Sequence, residues 1–480
     1  MKKLWWLMAA ALAACSSPFS QGTEPSVAGH SLGRHAGGSS PIQHVIIIMQ
    51  ENRTFNNLFY GFPGATTSGT GVGHGTTYTL VSRPLEEKTD LNHSHAQFLE
   101  DFDQGKSDGW DDEIIKYSKT GSVCGDKVNE NNEPQCWIFS KTPKMEQLIF
   151  SYVQQSDIQP YWTMAKEYAL GDEAFESNSG PTFNSHEYMI AGQAGHTVEV
   201  PDGPVWGCNA QNKSTTANLL DYGQANPPAF PATTGYEVAG PYPCFTFPTI
   251  ADTLDHAGIT WKFYAQKTGA GRNLNPFESI SNVWNGPDHA NIINPDTTIL
   301  KDIKSGNLPQ VSWVTPSGSN SDHPGPQSGP NGPSWVGSIV NAVGKSQYWG
   351  STAIVVMWEE AGGWYDSVVP QQLADPQTGA YEGLGYRVPL IVISPYAKAG
   401  YVSHTHYEVA STLNLIEETF GLPTIGACTS SANTFADCRT TGFDDMFDFT
   451  QKPIKFKSIP TKQNAEYFLT HPDNTPPDTY

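Results

Sequence analysis

The sequence predicts an α/β protein in which a mostly parallel central sheet lies between helices and carries loop-rich insertions. Three observations predict it. The runs Val45-Ile46-Ile47-Ile48-Met49 and Ala353-Ile354-Val355-Val356-Met357-Trp358 are apolar without alternation, so both faces of each strand must be covered, as in parallel sheets sandwiched by helices. Helical stretches of ordinary length recur between such runs, which parallel strands require as crossovers. Several runs also stop abruptly at ionisable residues, and ligands of open α/β sheets bind outside the carboxyl ends of the strands.

In chain order, Lys2 and Lys3 precede a short apolar run, LWWLMAAALAA, too short to span a bilayer and read as a secretory signal. The run ends at Leu12-Ala13-Ala14-Cys15, which resembles a lipoprotein cleavage box with Cys15 as the lipidated first residue, so residues 1–15 form the signal. Residues 16–40, rich in Gly and Ser, serve as a flexible tether. An exported chain forms disulfides, and the six remaining cysteines fall into sequence-local pairs, read as 124–136, 208–244 and 428–438. The formal net charge of −21 argues against nucleic acid or an anionic membrane surface as partner, leaving a lipid anchor as the membrane contact. Composition says nothing about oligomeric state.

The first strand delivers Glu51 and Asn52 at its end. A Gly- and Thr-rich loop follows, then a polar connection carrying His93. A helix is expected over 158–168 and a strand within 168–175, leading into Ser177-Asn178-Ser179-Gly180-Pro181-Thr182. Gly180 and Pro181 break the strand and preorganise a turn, which places Thr182 at a helix N-terminus, where unpaired N–H groups and the helix dipole favour negative charge. Residues 195–247 form a loop-rich insertion that roofs the site. A helix over 248–257 and the strand ITWKFYAQ restore the α/β alternation, and a strand over 310–314 ends in a loop bearing Asp322 and His323.

The run 353–358 ends in Glu359 and Glu360, followed by Gly362 and Gly363. Two adjacent carboxylates on a strand end repel, and a cation relieves both repulsion and burial cost. Glu51, Asn52, Glu359, Glu360 and a Thr182 alkoxide would make an oxygen-rich shell for one divalent ion, Mg, Ca or Mn, with Zn also compatible. The last strand, 387–397, precedes a loop with His404 and a helix over 407–420 that Gly421 and Pro423 stop. The catalytic domain so bounded runs from 41 to 450, and 451–480 reads as a surface tail.

The segments VIIIMQENRTFNNLFYGFPG, SNSGPTFNSHEYMIAGQ, SDHP, IVVMWEEAGGWYD and SPYAKAGYVSHTHYEVASTLNLIEETFGLP resemble the bacterial phosphoesterase family that contains phospholipases C and secreted acid phosphatases, over 43–423. The resemblance implies an alkaline-phosphatase-like core and a metal-dependent phosphoric ester hydrolase. In it Thr182 is the nucleophile through a covalent phosphothreonine, Glu51, Asn52, Glu359 and Glu360 are metal ligands, and His323, His404 and His93 lie near the transferred phosphoryl group. The substrate implied is a phosphoester, a phospholipid head group among the candidates. Two departures stand out: the family usually has Asp where Glu359 stands, and a histidine often follows Tyr365-Asp366 where this chain has Ser367. Phe59, Tyr60, Phe62 and Trp364 could wall a diacylglycerol. The competing class is a non-catalytic surface lipoprotein that keeps the fold and binds a metal or glycan; loss of Thr182 or the Glu pair would mark it, and both are present. A sulfatase would need Cys or Ser in a C/S-x-P-x-R setting, which GPTFN does not provide.

Overall fold

Residues 45–49 and 353–358 form the centre of an eight-stranded sheet whose inner strands are buried on both faces, because their side chains offer apolar surface in both directions. The computed structural model describes residues 40–112, 115–116, 146–201, 206–209, 218–220, 237–239, 242–266, 275–374, 381–426, 428, 435–473 and 475. The signal, Cys15, the tether up to residue 39 and the expected 124–136 disulfide lie outside the described residues. Across the sheet the strands run Ile292–Ile293, Trp261–Tyr264, Val311–Val314, His44–Gln50, Thr352–Trp358, Leu390–Ile393, Ala169–Gly171 and Tyr401–Ser403. Leu390–Ile393 is antiparallel to both its neighbours, and the other pairings are parallel.

Register decides which strand ends meet. His44–Gln50 pairs with Thr352–Trp358 residue for residue, from His44 opposite Thr352 to Gln50 opposite Trp358, so Glu51 and Glu359 leave adjacent strands at the same level. The Glu359 amide continues the ladder by donating to the Gln50 carbonyl at 3.0 Å. Helices Gln159–Glu167, Thr298–Ser305, Gly332–Gly344 and Ala465–Thr470 pack into one layer, and Thr182–Ala191, Ile250–Ala257 and Ser411–Phe420 into another.

The expected helices and strands are present, the two central strands slightly longer than their apolar runs and the others shorter. Residues 407–408 form a short strand, and the helix expected from 407 begins at Ser411. Thr249 and Asp252 close a capping box that starts Ile250–Ala257, and Gly421, with φ 65°, ends Ser411–Phe420. The tail covers apolar surface: Ile459 and Phe468 are buried, and Phe468 meets Trp335 edge-on. Both described disulfides match the sequence-local pairing, Cys208–Cys244 and Cys428–Cys438. The four aromatics expected to wall a lipid have other work. Phe59 and Phe62 pack on Trp162, Tyr60 on Tyr152, and Trp364 lies under the Arg53 guanidinium, because such rings close to a sheet edge fill the core first.

Candidate active site

Thr182 opens the helix Thr182–Ala191 directly after Pro181, and all ten helical residues are buried. Its Oγ1 donates to Glu360 Oε1 at 2.7 Å and its backbone N–H donates to the same oxygen at 3.1 Å. Asn52 Nδ2 donates to that oxygen as well, at 3.2 Å. The helix N-terminus therefore holds a carboxylate, as the orphan N–H groups of a first turn favour.

Glu51 and Glu359 lie beside this group and are fully buried. Among the described residues, neither carboxylate receives a hydrogen bond, and Asn52 Oδ1 receives none. Oxygens of Glu51 and Glu359 and a ring nitrogen of His186 fall within 4.8 Å of one another, with His186 Nε2 3.7 Å from Glu51 Oε1. Burial, then Glu360 and Glu51, holds the Glu359 carboxyl well above the usual range. Burial pushes Glu360 up to about 8 against the opposing pull of its Thr182 hydrogen bond. Carboxylates crowded in a buried site, with no hydrogen-bond donors to them among the described residues, fit a divalent cation, and the mix of oxygens with one imidazole admits Mn or Zn besides Mg and Ca.

Backbone geometry makes the crowding possible. Asn52 takes φ 53°, a left-handed conformation that costs energy in a non-glycine residue and turns the chain off its strand. Gly362, φ 64°, passes so close that a Cβ there would sit 2.5 Å from Asn52 Cβ, so this position admits only glycine. Arg53 braces the turn: Nε donates to the Asp322 carbonyl at 2.8 Å and Nη2 to the Leu85 carbonyl at 2.8 Å. Asp322 accepts from Tyr161 Oη at 2.8 Å and Trp358 Nε1 at 3.0 Å, so it anchors the loop and leaves the neighbouring His323 to face inward.

His93 Nε2 lies 3.9 Å from Glu360 Oε1, and the His93 ring meets the His323 ring edge-on at 5.6 Å. Four strand or loop ends, those bearing Glu51 and Asn52, Glu359 and Glu360, His93 and His323, thus gather around Thr182. His404 stands outside this group: its Nδ1 lies 2.8 Å from Asp172 Oδ1 and its side chain is 58% exposed. Ser367, at the place where a histidine was expected, accepts from Arg387 Nη2 at 3.2 Å and donates to Asn56 Oδ1 at 3.2 Å. A cavity opens beside Glu360, lined by His93, Trp110, Glu176 and Tyr386 among others. Above the helix, Trp206 of the insertion packs edge-on against Phe183.

Two residues of the group, His186 and Asp90, carry no expectation from the sequence. His186 had a signal, since it stands four residues after Thr182 on a helix and so shares its face. Asp90 precedes His93 by three residues, but no local rule relates either of them to His323.

The family model described as Phosphoesterase family matches residues 42–423. The chain is 26% identical to a non-hemolytic phospholipase C of Pseudomonas aeruginosa, over 87% of this chain and 61% of that protein. It is 24% identical to phospholipase C A of Mycobacterium tuberculosis, covering 81% and 74%, and 24% identical to non-specific phospholipase C6 of Arabidopsis thaliana, covering 86% and 74%. The chain spans about 60% of the length of the first of these relatives. A solved protein of the alkaline phosphatase superfamily from Vibrio parahaemolyticus superposes with TM-score 0.33 at 12% identity, over 80% of this chain and 67% of that one.

Proposed function

Because the chain belongs to the Phosphoesterase family, we propose that it hydrolyses phosphoric esters by way of a covalent phosphothreonine at Thr182. The observation that carries this is the Thr182 hydroxyl at a helix N-terminus, hydrogen-bonded at 2.7 Å to Glu360 beside the buried Glu51 and Glu359, which accept no hydrogen bond among the described residues. Glu51, Asn52, Glu359 and Glu360 would hold one divalent ion, which when bound lowers the hydroxyl's proton affinity and neutralises charge on phosphoryl oxygens.

The chain's own residues do the rest. Thr182 Oγ1 gives up its proton along its existing bond to Glu360 and attacks phosphorus opposite the leaving oxygen. The Oγ1–P bond forms as the P–O bond to the leaving group breaks, and that group takes a proton from an imidazole. His93 and His323 stand nearest for this and for binding equatorial oxygens. Water then attacks phosphorus, giving a proton to the imidazole that lost one, as the Oγ1–P bond breaks and Thr182 Oγ1 takes back the proton from Glu360. His404, held by Asp172 and exposed, stands outside the group around Thr182 and is given no step here.

The relatives named as phospholipases C favour a phosphodiester with a polar head group, and assays of p-nitrophenylphosphorylcholine against p-nitrophenyl phosphate separate diesterase from monoesterase. Thr182→Val keeps the shape and removes the nucleophile. Turnover should fall to background with near-ultraviolet circular dichroism unchanged, and a variant retaining wild-type kcat would end the assignment. We further assign 41–450 to one catalytic domain and 1–15 to an export signal that leaves Cys15 lipidated, which mass spectrometry of the mature N-terminus tests.

A further inference from the structure

The tail after residue 450 reaches the loop that carries His323, and it is fastened along the helix Gly332–Gly344 on the way. Asn341 exchanges two hydrogen bonds with the Ile459 backbone, both at 2.9 Å, and Ser334 Oγ accepts from the Lys462 and Gln463 amides at 3.2 and 3.3 Å. Gly344 makes room for the Phe456 ring, which would stand 2.3 Å from a Cβ there, and Phe468 closes on Trp335. The tail is thus bound to the helix layer and brings Asp473 and Thr475 to a fixed place.

There it meets the turn Gly318–Asn320. Asp473 Oδ2 accepts from the Ser319 amide at 2.7 Å, and the Thr475 carbonyl accepts from the Gly318 amide at 2.6 Å. Asp473 Oδ1 accepts from the Thr475 amide at 2.8 Å and from its hydroxyl at 2.5 Å. Burial raises the Asp473 carboxyl, but these bonds outweigh it and hold the group below its ordinary range, so its hydrogen bonds at neutral pH are charge-assisted.

From the turn, hydrogen bonds lead on to the histidine. The Gly318 carbonyl accepts from Ser321 Oγ at 2.8 Å, and that oxygen accepts from the His323 amide at 3.3 Å. Gly318 therefore holds the tail with its N–H and the His323 backbone, by way of Ser321, with its C=O. On its other side the same turn is tied to the central sheet, where the Asn320 carbonyl accepts from Gln50 Nε2 at 3.2 Å.

We propose that Asp473 is a positioning residue, which through Ser319, Gly318 and Ser321 fixes the backbone of His323. The latch stands on geometry; its effect on turnover rests on the phosphoester reading, in which His323 serves the phosphoryl group. Misplacing a reacting group by about 1 Å can cost on the order of 100-fold in rate, and losing the outermost link should cost less.

The full chain is compared with Asp473→Ala, which removes both acceptors, and Asp473→Asn, whose amide oxygen still accepts from Ser319. Hydrogen exchange read by mass spectrometry needs no substrate. The Gly318 and Ser319 amides should exchange about tenfold faster in Asp473→Ala and as in wild type in Asp473→Asn. On whichever p-nitrophenyl ester the wild type hydrolyses, kcat should fall about tenfold in Asp473→Ala with KM within about twofold, and Asp473→Asn should restore it. Unchanged exchange, or a wild-type kcat in Asp473→Ala, overturns the inference. A wild type inactive on both esters would instead refute the phosphoester reading, and exchange would then decide the latch by itself.

Discussion

Glu359→Gln should make the metal-free protein more stable and the metal-loaded protein less so. Glu359 is fully buried, both its oxygens lack donors among the described residues, and a Glu51 oxygen lies within 4.8 Å. The substitution keeps the volume and replaces a carboxyl that must hold a proton to sit beside Glu51 and Glu360 with an amide that can donate to Glu51 at any pH. A hydrogen bond to a charged group contributes about 1.5–3 kcal/mol, so the metal-free variant should gain roughly 2 kcal/mol at pH 8. The gain depends on pH with a definite sign. Glu360, pushed up to about 8 by burial, and Glu359, held high for the same reason, bind more protons folded than unfolded. Metal-free wild type is therefore most stable below the ordinary carboxyl range and loses stability as pH rises through about 8, which widens the variant's advantage at alkaline pH. A cation at 100 times its Kd stabilises wild type by about 2.7 kcal/mol, and the variant should lose most of that. Urea unfolding with EDTA and with excess metal, at pH 5 and pH 8, reads all four values. The order of stability should invert between the two conditions at pH 8. Should Glu359→Gln be less stable than wild type in EDTA and gain as much from metal, the crowded-carboxylate account of this site is wrong.

Further outcomes follow from other parts of the molecule. Glu417, pushed up to about 10 by burial, contributes stability below the ordinary carboxyl range that is lost as pH rises through about 10. Glu417→Gln should flatten the fall of stability between pH 5 and 9 by up to about 1.4 kcal/mol per pH unit, read by urea midpoints. Arg387 is fully buried, bonding Asp366 at 2.7 Å and the Asp172 carbonyl at 2.7 Å, so Arg387→Lys should cost about 3–5 kcal/mol of unfolding free energy. Replacing Cys208 and Cys244 by Ser opens a 36-residue closure and should cost about 4 kcal/mol, with the Trp206 contact over Phe183 loosened and fluorescence shifted to the red.

The sequence by itself determined the elements and the ends at which chemistry sits. Unalternating β-branched runs can only be strands covered on both faces, and Gly180-Pro181 can only break the chain before Thr182, since these effects act within a few residues. The positions of Glu51 and Glu359 at strand ends were legible for the same reason. Tertiary structure alone decided which ends became neighbours. Gln50 opposite Trp358 sets the two glutamates side by side, and a register shifted by one residue would have turned one of them to the other face. It also turned Leu390–Ile393 against the other strands, paired His404 with Asp172 instead of Thr182, and gathered Asp90, His93 and His323 from connections more than 200 residues apart. Strand order and register are long-range choices made by the packing of the whole sheet, and no local pattern of residues encodes them.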